Sequence, residues 1–365
     1  MVALAAGWGL AQEEGRMAIG ERVRLARKAS GLSQRALAEK AGISAMAVSK
    51  YERGMDAPSS GVLVKLSRAT GVSLDFFFRP PITKVTIRAF RRHSKLGAKR
   101  ENAVTAQVQE WLERYLEAAS LFREPPAVGV PRFSASAFDG VERAAEKLRA
   151  TWELGLDPIE SLVQVLEDHG VAVALVEGAE KFDACTFQSD GAVVIAVKRG
   201  LPGDRQRFSL AHELGHIVVD LRGGLGEEDA AHRFAGALLV PRSTALSELG
   251  HARTSLDVWE LLLLKRKYGL SMQGWIHRAR DLGVISRDVA ARMFKEFRRK
   301  GWHRSEPGDP YPAEEPARLK LLVARALAED MISASRSSEL LGGSIRELMH
   351  ADFGGERHGH AVTGG

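Results

Sequence analysis

Apolar residues recur every three to four positions over most of this chain, so its reading is dominated by helices. Val23, Leu25 and Ala26 form the face of a first helix that stops at Ser30-Gly31. Ser33 is placed to cap a second helix through Ala41, and Gly42 then supplies a tight turn with Ile43 as a core plug. Ser44 caps a third helix over residues 45–53, which Gly54 ends. Two helices joined by a short glycine turn, with the small Ala38 near their crossing, predict a helix-turn-helix. A fourth helix follows over residues 60–70, then the apolar stretch 74–78. Pro80-Pro81 break the chain, and Val104, Val108, Trp111, Leu112 and Tyr115 predict a long helix over residues 103–122. Residues 125–131 make a second break, after which helices resume at 141–152 and 158–168.

The pattern then shortens to strand length. Residues 171–176, 184–188 and 192–197 are compact apolar runs, and Asp190-Gly191 marks a hairpin between the last two. A small antiparallel sheet is therefore expected. Asp204 begins another helix, Gly223, Gly224 and Gly226 loosen the chain, and a further helix runs over 227–240 to stop at Pro241. Residues 256–267 and 271–281 could pass for a second helix-turn-helix, but their polar face lacks a basic excess and they are assigned to the second domain's core. Residues 307–316 read as a linker, 319–328 and 337–341 as short helices, and the His/Gly-rich 358–365 as a disordered tail. The fold class is α+β and mostly helical.

Chemistry enters on the helix that starts at Asp204. It carries His212-Glu213-Leu214-Gly215-His216. Four residues apart on a helix, His212 and His216 share a face and can offer two imidazole nitrogens to one metal ion. Glu213 projects beside them as a base for a metal-activated water, the layout of a zinc hydrolase. The helix over 227–240 offers a third ligand. Glu228, Ala231, Phe234, Ala235 and Leu238 share one face, so small residues let it approach closely while Glu228 presents a carboxylate. Glu227 and His232 are the alternatives.

Charge sharpens the division of the chain. Residues 1–100 hold 19 Lys and Arg against 7 Asp and Glu, and the whole-chain totals of 52 and 46 leave 33 against 39 for the rest. A polyanion partner is expected for the first hundred residues only. Residues 84–100 continue the basic run (Arg88, Arg91, Arg92, Lys95, Lys99, Arg100), either as a solvated connector or as extra phosphate contacts. One cysteine, Cys185, permits no internal disulfide, no run reaches membrane-spanning length, and the opening residues lack the basic start and apolar core of a signal peptide. A cytoplasmic location is expected.

Leu32-Ser33-Gln34, Leu37-Ala38, Gly42-Ile43-Ser44 and Ser49-Lys50-Tyr51-Glu52-Arg53-Gly54 resemble the lambda-repressor-like (Xre/Cro) DNA-binding family. The resemblance implies that residues 45–53 enter the major groove of an operator as a dimer. Ser44, Ala45, Met46, Ser49 and Lys50 would face DNA, Gln34 a phosphate, and Val48 and Tyr51 the core. Because Ala45, Met46 and Ala47 cannot make bidentate base contacts, readout would rest on Ser49, Lys50 and apolar contact with thymine methyls. Arg205 through His216, followed by Glu228, Ala231, Phe234-Ala235 and Leu238-Leu239-Val240-Pro241, resemble the ImmA/IrrE metallopeptidases. Arg280 through Ser286, Gly301-Trp302 and Glu306-Pro307 resemble the members that carry an Xre-type domain.

The combined resemblance covers residues 19–307 and implies an all-α helix-turn-helix domain followed by a zincin-like α+β domain. It maps His212, His216 and Glu228 onto Zn2+ ligands and Glu213 onto the catalytic base. His232 stands where the family often has Asn, as a residue that contacts ligands or substrate. The expected bounds are a disordered extension 1–16, a DNA-binding domain 17–79, a basic connector and helix 80–135, a peptidase domain 136–306 and a C-terminal extension 307–365. The implied function is a transcriptional regulator fused to a zinc endopeptidase that cleaves a repressor protein, derepressing stress or mobile-element genes. The alternative is a repressor whose peptidase-like domain only senses or stabilises.

Overall fold

A computed structural model describes residues 2–79, 88–89, 98–122, 130–178, 182–189 and 192–343. The chain forms two compact units, one of residues 1–87, 94–125 and 317–365 and the other of residues 88–93 and 126–316.

The first unit is helical. It comprises α1 (Val2–Ala29), α2 (Gln34–Ala41), α3 (Ala45–Glu52), α4 (Ser60–Thr70), a 3-10 turn (Leu74–Phe78), α5 (Ala98–Ser120) and two late helices, Arg318–Ala328 and Ala334–Leu341. Its caps follow local chemistry. Ser33 and Ser44 accept from the backbone N–H groups of Ala36 and Ala47, and Gly42 closes α2 at φ 62°, a left-handed conformation that glycine adopts without a side-chain clash. Leu37, Val48, Leu63, Leu66, Phe76 and Phe77 form the buried centre.

Three expectations are corrected here. The extension expected to be disordered is the N-terminal part of α1, since an alanine-rich stretch without proline continues the helix. The helix α5, expected in a segment of its own with the basic connector, packs into the first unit, where Glu113 forms a buried ion pair with Arg22 of α1. Nor do the C-terminal helices stand apart. Leu319, Leu322, Val323, Ala326 and Leu340 pack with Ala118 of α5 and Phe122 just beyond it as a second small core. In the basic stretch, Arg91, Arg92 and Lys95 lie outside the described residues, as do the side chains of Arg88, Lys99 and Arg100. The Asp190-Gly191 turn and the 358–365 tail also lie outside them.

The second unit surrounds a four-stranded sheet in the order β1-β4-β5-β3, made of β1 (Arg88–Ala89), β3 (Val171–Val176), β4 (Ala184–Ser189) and β5 (Ala192–Lys198). β2 (Phe133–Ala135) and β6 (Val219–Leu221) form a parallel pair beside it. The three expected strands are present, but the sheet is mixed. β4 runs antiparallel to β5, whereas β3 pairs with β5 in parallel, Val171 opposite Val193. Burial of β3 and β5 explains their continuous apolar runs.

Helices α6 (Phe138–Thr151), α7 (Leu162–Asp168), α8 (Gly203–Val218), α9 (Glu227–Leu239), α10 (Arg242–Leu249), α11 (Val258–Tyr268), α12 (Met272–Asp281) and α13 (Arg287–Arg299) complete the unit. One large core joins them, with Leu148, Leu210, Leu214, Phe234, Leu238, Leu261 and Trp275 fully buried. α11 and α12 belong to this core, as their weak basic character suggested. The stretch expected to be a linker, 307–316, is instead packed on the start of α8, where the Gly203 N–H donates to Tyr311 O at 2.9 Å.

Candidate functional site

α8 and α9 cross where both are small. A Cβ added at Gly215 would meet Ala231 Cα at 3.3 Å and Phe234 Cδ1 at 3.0 Å, so glycine there lets the helices close. Their approach brings three ligand-capable groups together. His212 and His216 lie one turn apart with Nε2 atoms 3.2 Å from each other. Glu228, in the first turn of α9, lies 3.3 Å from His212 Nε2 through Oε2 and 3.4 Å from His216 Nε2 through Oε1. Among the described residues this trio is the group of His, Cys and acidic side chains that could hold a metal ion.

The other two candidates for third ligand are not part of the trio. Glu227 lines a small cavity of about 120 Å3 with Arg132, Asp220 and His216. His232 is near but does not join the trio; its ring lies 4.5 Å from that of His212 and stacks on Phe208 at 5.8 Å.

Glu213 is held from the sheet. Thr186 Oγ1, on β4, donates to its Oε2 at 2.8 Å. Burial raises the Glu213 pKa to about 7 and the charge of Glu228 adds to that, while the Thr186 hydrogen bonds pull the other way. A carboxyl group in this state exchanges a proton readily near neutral pH. Thr186 is a functional residue that the sequence reading missed, and its signal was a single hydroxyl in the otherwise apolar start of β4. β5 is central, with β4 and β3 on its two sides. β4 is the strand that touches the site, and Gln188 and Phe187 on its outer edge pair with Arg88 and Ala89.

Buried charge fixes α8. Arg207 is wholly buried and donates to Ile159 O at 2.7 Å and to the Glu314 carboxylate. Gln206 exchanges hydrogen bonds with the Glu314 backbone at 2.8 and 2.7 Å. Asp204 and Glu306 hold Lys265 at 3.2 and 2.9 Å, and burial of that lysine is outweighed by the two carboxylates, which raise its pKa.

In the first unit, α3 presents an open face. Ser44, Ala45, Met46 and Lys50 are exposed, Ser49 is half-buried, and Val48 is buried inside with Tyr51 partly so. Gln34 is engaged within the protein, its Nε2 donating to Glu52 Oε2 at 2.8 Å, and Arg27 also binds that carboxylate. Gln34 thus ties the start of α2 to the end of α3, which leaves its carbonyl oxygen and its second amide N–H for a further partner. Among the described residues no helix is long and apolar enough to cross a membrane.

Residues 23–77 match a helix-turn-helix family model, and residues 166–280 match the model of the IrrE N-terminal-like domain. The chain is 31% identical over 80 residues to repressor protein C2 of Salmonella phage P22, covering 22% of this chain and 37% of that protein. It is 40% identical over 60 residues to an uncharacterized transcriptional regulator in the ATPase CF(0) region of Rhodospirillum rubrum, 16% of this chain and 56% of that one. A 67-residue match at 33% identity to the uncharacterized HTH-type transcriptional regulator y4wC of Sinorhizobium fredii covers 18% and 47%. These matches span between 37% and 56% of the relatives' lengths.

Proposed function

Because the chain joins a helix-turn-helix domain to an IrrE N-terminal-like domain, we propose that it is a DNA-binding transcriptional regulator whose second unit is a zinc-dependent endopeptidase. The observation that carries the enzymatic half is the spacing of the trio. A tetrahedral ion with bonds of about 2.0–2.1 Å separates its ligand atoms by about 3.3–3.4 Å. His212 Nε2 and His216 Nε2 are 3.2 Å apart, and Glu228 reaches the first with Oε2 at 3.3 Å and the second with Oε1 at 3.4 Å, so the three side chains converge on one point at about this scale. Two imidazoles and one carboxylate are also the donor set of hydrolytic zinc. His212, His216 and Glu228 would hold the ion, and when bound it supplies Lewis acidity to a peptide carbonyl and lowers the pKa of a water.

The chain's own residues do the rest. Glu213 takes the proton of the attacking water and returns it to the leaving amine. Thr186 holds one oxygen of Glu213, so the other is kept for proton transfer. On the DNA side, α3 lies in the major groove with Ala45, Met46, Ser49 and Lys50 toward the bases, and Ser44 and Gln34 near the backbone. Two copies bind half-sites about one helical turn apart. The substrate is a repressor protein, and its cleavage derepresses the genes it controls. The protein acts in the cytoplasm.

A second reading has its own support, since the relatives named above are a repressor and transcriptional regulators. In it the second unit senses or stabilises without cleaving. Glu213→Gln separates the two. The endopeptidase reading expects this variant to keep its metal and operator binding but lose cleavage of a repressor substrate and its regulatory effect in cells. Full regulatory activity in cells would leave the second reading standing.

A further inference from the structure

α8, α9, α12 and α13 enclose a cavity of about 940 Å3 that lies beside the metal-ligand trio and contains none of its members. Its size lies toward the upper end of small-molecule sites, roughly 300–1,000 Å3. Two rings on the trio's side, Phe208 and His232, line it, and His232 bridges to His212 at 4.5 Å. The far side is Phe294 with Ala290, and His277 stacks on Phe294 at 4.6 Å. His277 is exposed, but partial desolvation by its neighbours and the nearby charge of Arg280 hold its pKa below the usual imidazole value.

The arginines that reach this cavity are engaged inside the protein. Arg278 and Arg233 bind Glu142, and Arg280 and Arg233 bind Asp281. The exposed Asp229 and Arg287 complete the charged lining with opposite signs. A charged group entering the interior would lose its water, and Arg233 and Arg278 there are already paired with carboxylates. A large apolar group would gain aromatic contact and release water from the ring faces.

We propose that this cavity receives a large uncharged side chain, aromatic or branched aliphatic, of the polypeptide substrate, and thereby selects the residue next to the scissile bond. His232 and Phe208 are specificity residues in this assignment, since they form the wall between cavity and ligand trio. The proposal rests on the endopeptidase reading above, and its test is chosen to separate the two.

N-acetyl-phenylalaninamide, N-acetyl-leucinamide and N-acetyl-lysinamide are titrated against the full chain by saturation-transfer NMR. The same titrations are made with Gly236→Leu and Ala291→Trp, each checked by circular dichroism. A Cβ at Gly236 would meet only Arg278 Cδ at an ordinary 3.6 Å, so leucine can extend into the cavity without disturbing α9. The phenylalanine and leucine amides are expected to bind at least tenfold more tightly than the lysine amide, and both variants should weaken them by about 10- to 100-fold. Equal binding of the three amides, or binding that neither variant changes, overturns the proposal. A randomised peptide library supplies the other arm. Cleavage without preference for an apolar residue flanking the cut overturns the cavity assignment and leaves the peptidase. Absence of cleavage, with amide binding still blocked by both variants, overturns the peptidase and leaves an apolar binding site.

Discussion

In the first unit Met46 projects with 70% of its surface exposed, over a core whose buried members number ten, from Val23 to Phe77. In the second, the His212 and His216 side chains retain only 14% and 10% exposure and sit in a core drawn from nearly every helix and strand of the unit. The difference follows from the tasks. A recognition helix must carry its contacts outward, so it needs a stiff scaffold and little else: two serine caps, a left-handed glycine and a buried Val48 suffice. The metal site proposed for the second unit must instead fix several groups at once. It therefore depends on buried charge far from it in sequence, such as Glu142 with Arg278 and Arg207 with Glu314.

The strongest way to break this comparison is to strip the second unit of metal. His216→Ala and His212→Ala should each reduce zinc from about one ion per chain to background in elemental analysis, with operator affinity unchanged. Glu228→Ala should do the same, whereas His232→Ala should retain zinc. Full occupancy in a histidine variant would sink the site, and the reverse pattern for Glu228 and His232 would exchange their roles.

Next in size is Glu142→Ala. It leaves Arg278 and Arg233 facing each other without their carboxylate, and removing one partner of a buried pair costs about 3–5 kcal/mol. Urea unfolding followed by zinc retention should show that loss, and a change below about 1 kcal/mol would mean that the pair is dispensable.

On the DNA side the expected effects are smaller. Lys50→Ala should weaken operator binding by about 1–3 kcal/mol if Lys50 reads a base, or flatten the salt dependence by about one unit of slope if it meets a phosphate. Zinc content should not move. Binding unaffected in both affinity and slope would remove Lys50 from the interface.

Acid should have the gentlest effect, and it acts within the second unit. Although exposed, His277 is partly desolvated by its neighbours, and with the nearby charge of Arg280 this lowers its pKa, so the stability tied to its neutral form is present above the ordinary 6.5 and fades as pH falls below it. Burial alone would raise the Glu142 pKa, but the hydrogen bonds and charges of Arg278 and Arg233 outweigh it and hold it below 4.5, so its contribution fades only in stronger acid. Unfolding free energy against pH should fall in two stages, and His277→Phe should remove the earlier one. A single stage unchanged by that substitution would contradict the assignment.

Much of this was legible in the sequence where the determinants are local. Ser33, Gly42 and Ser44 fixed the helix bounds because caps act within a turn, and the apolar run at residues 171–176 gave β3 its limits. The histidines at positions 212 and 216 needed only helical spacing to share a face. What escaped depends on distant pairing. Nothing within β3 or β5 specifies that they run parallel. Thr186 acquires its role only when β4 is laid against α8. Glu314 looked like one acid in a proline-rich linker, because its partners Gln206 and Arg207 lie more than a hundred residues earlier.

That strap at residues 311–314 also orders events in time. A Cβ at Gly203 would lie 1.8 Å from Pro312 O, so the beginning of α8 is shaped to be closed by a segment synthesised much later. Arg207 and Glu314 are 107 positions apart, and at about 5–20 residues per second a ribosome needs roughly 5–20 s to add the second after the first. Until then the arginine that ends up wholly buried has no carboxylate. The histidine helix of the nascent chain therefore lacks this latch while residues 23–77 are already synthesised, and the proposed metal site is completed only after the strap has left the exit tunnel.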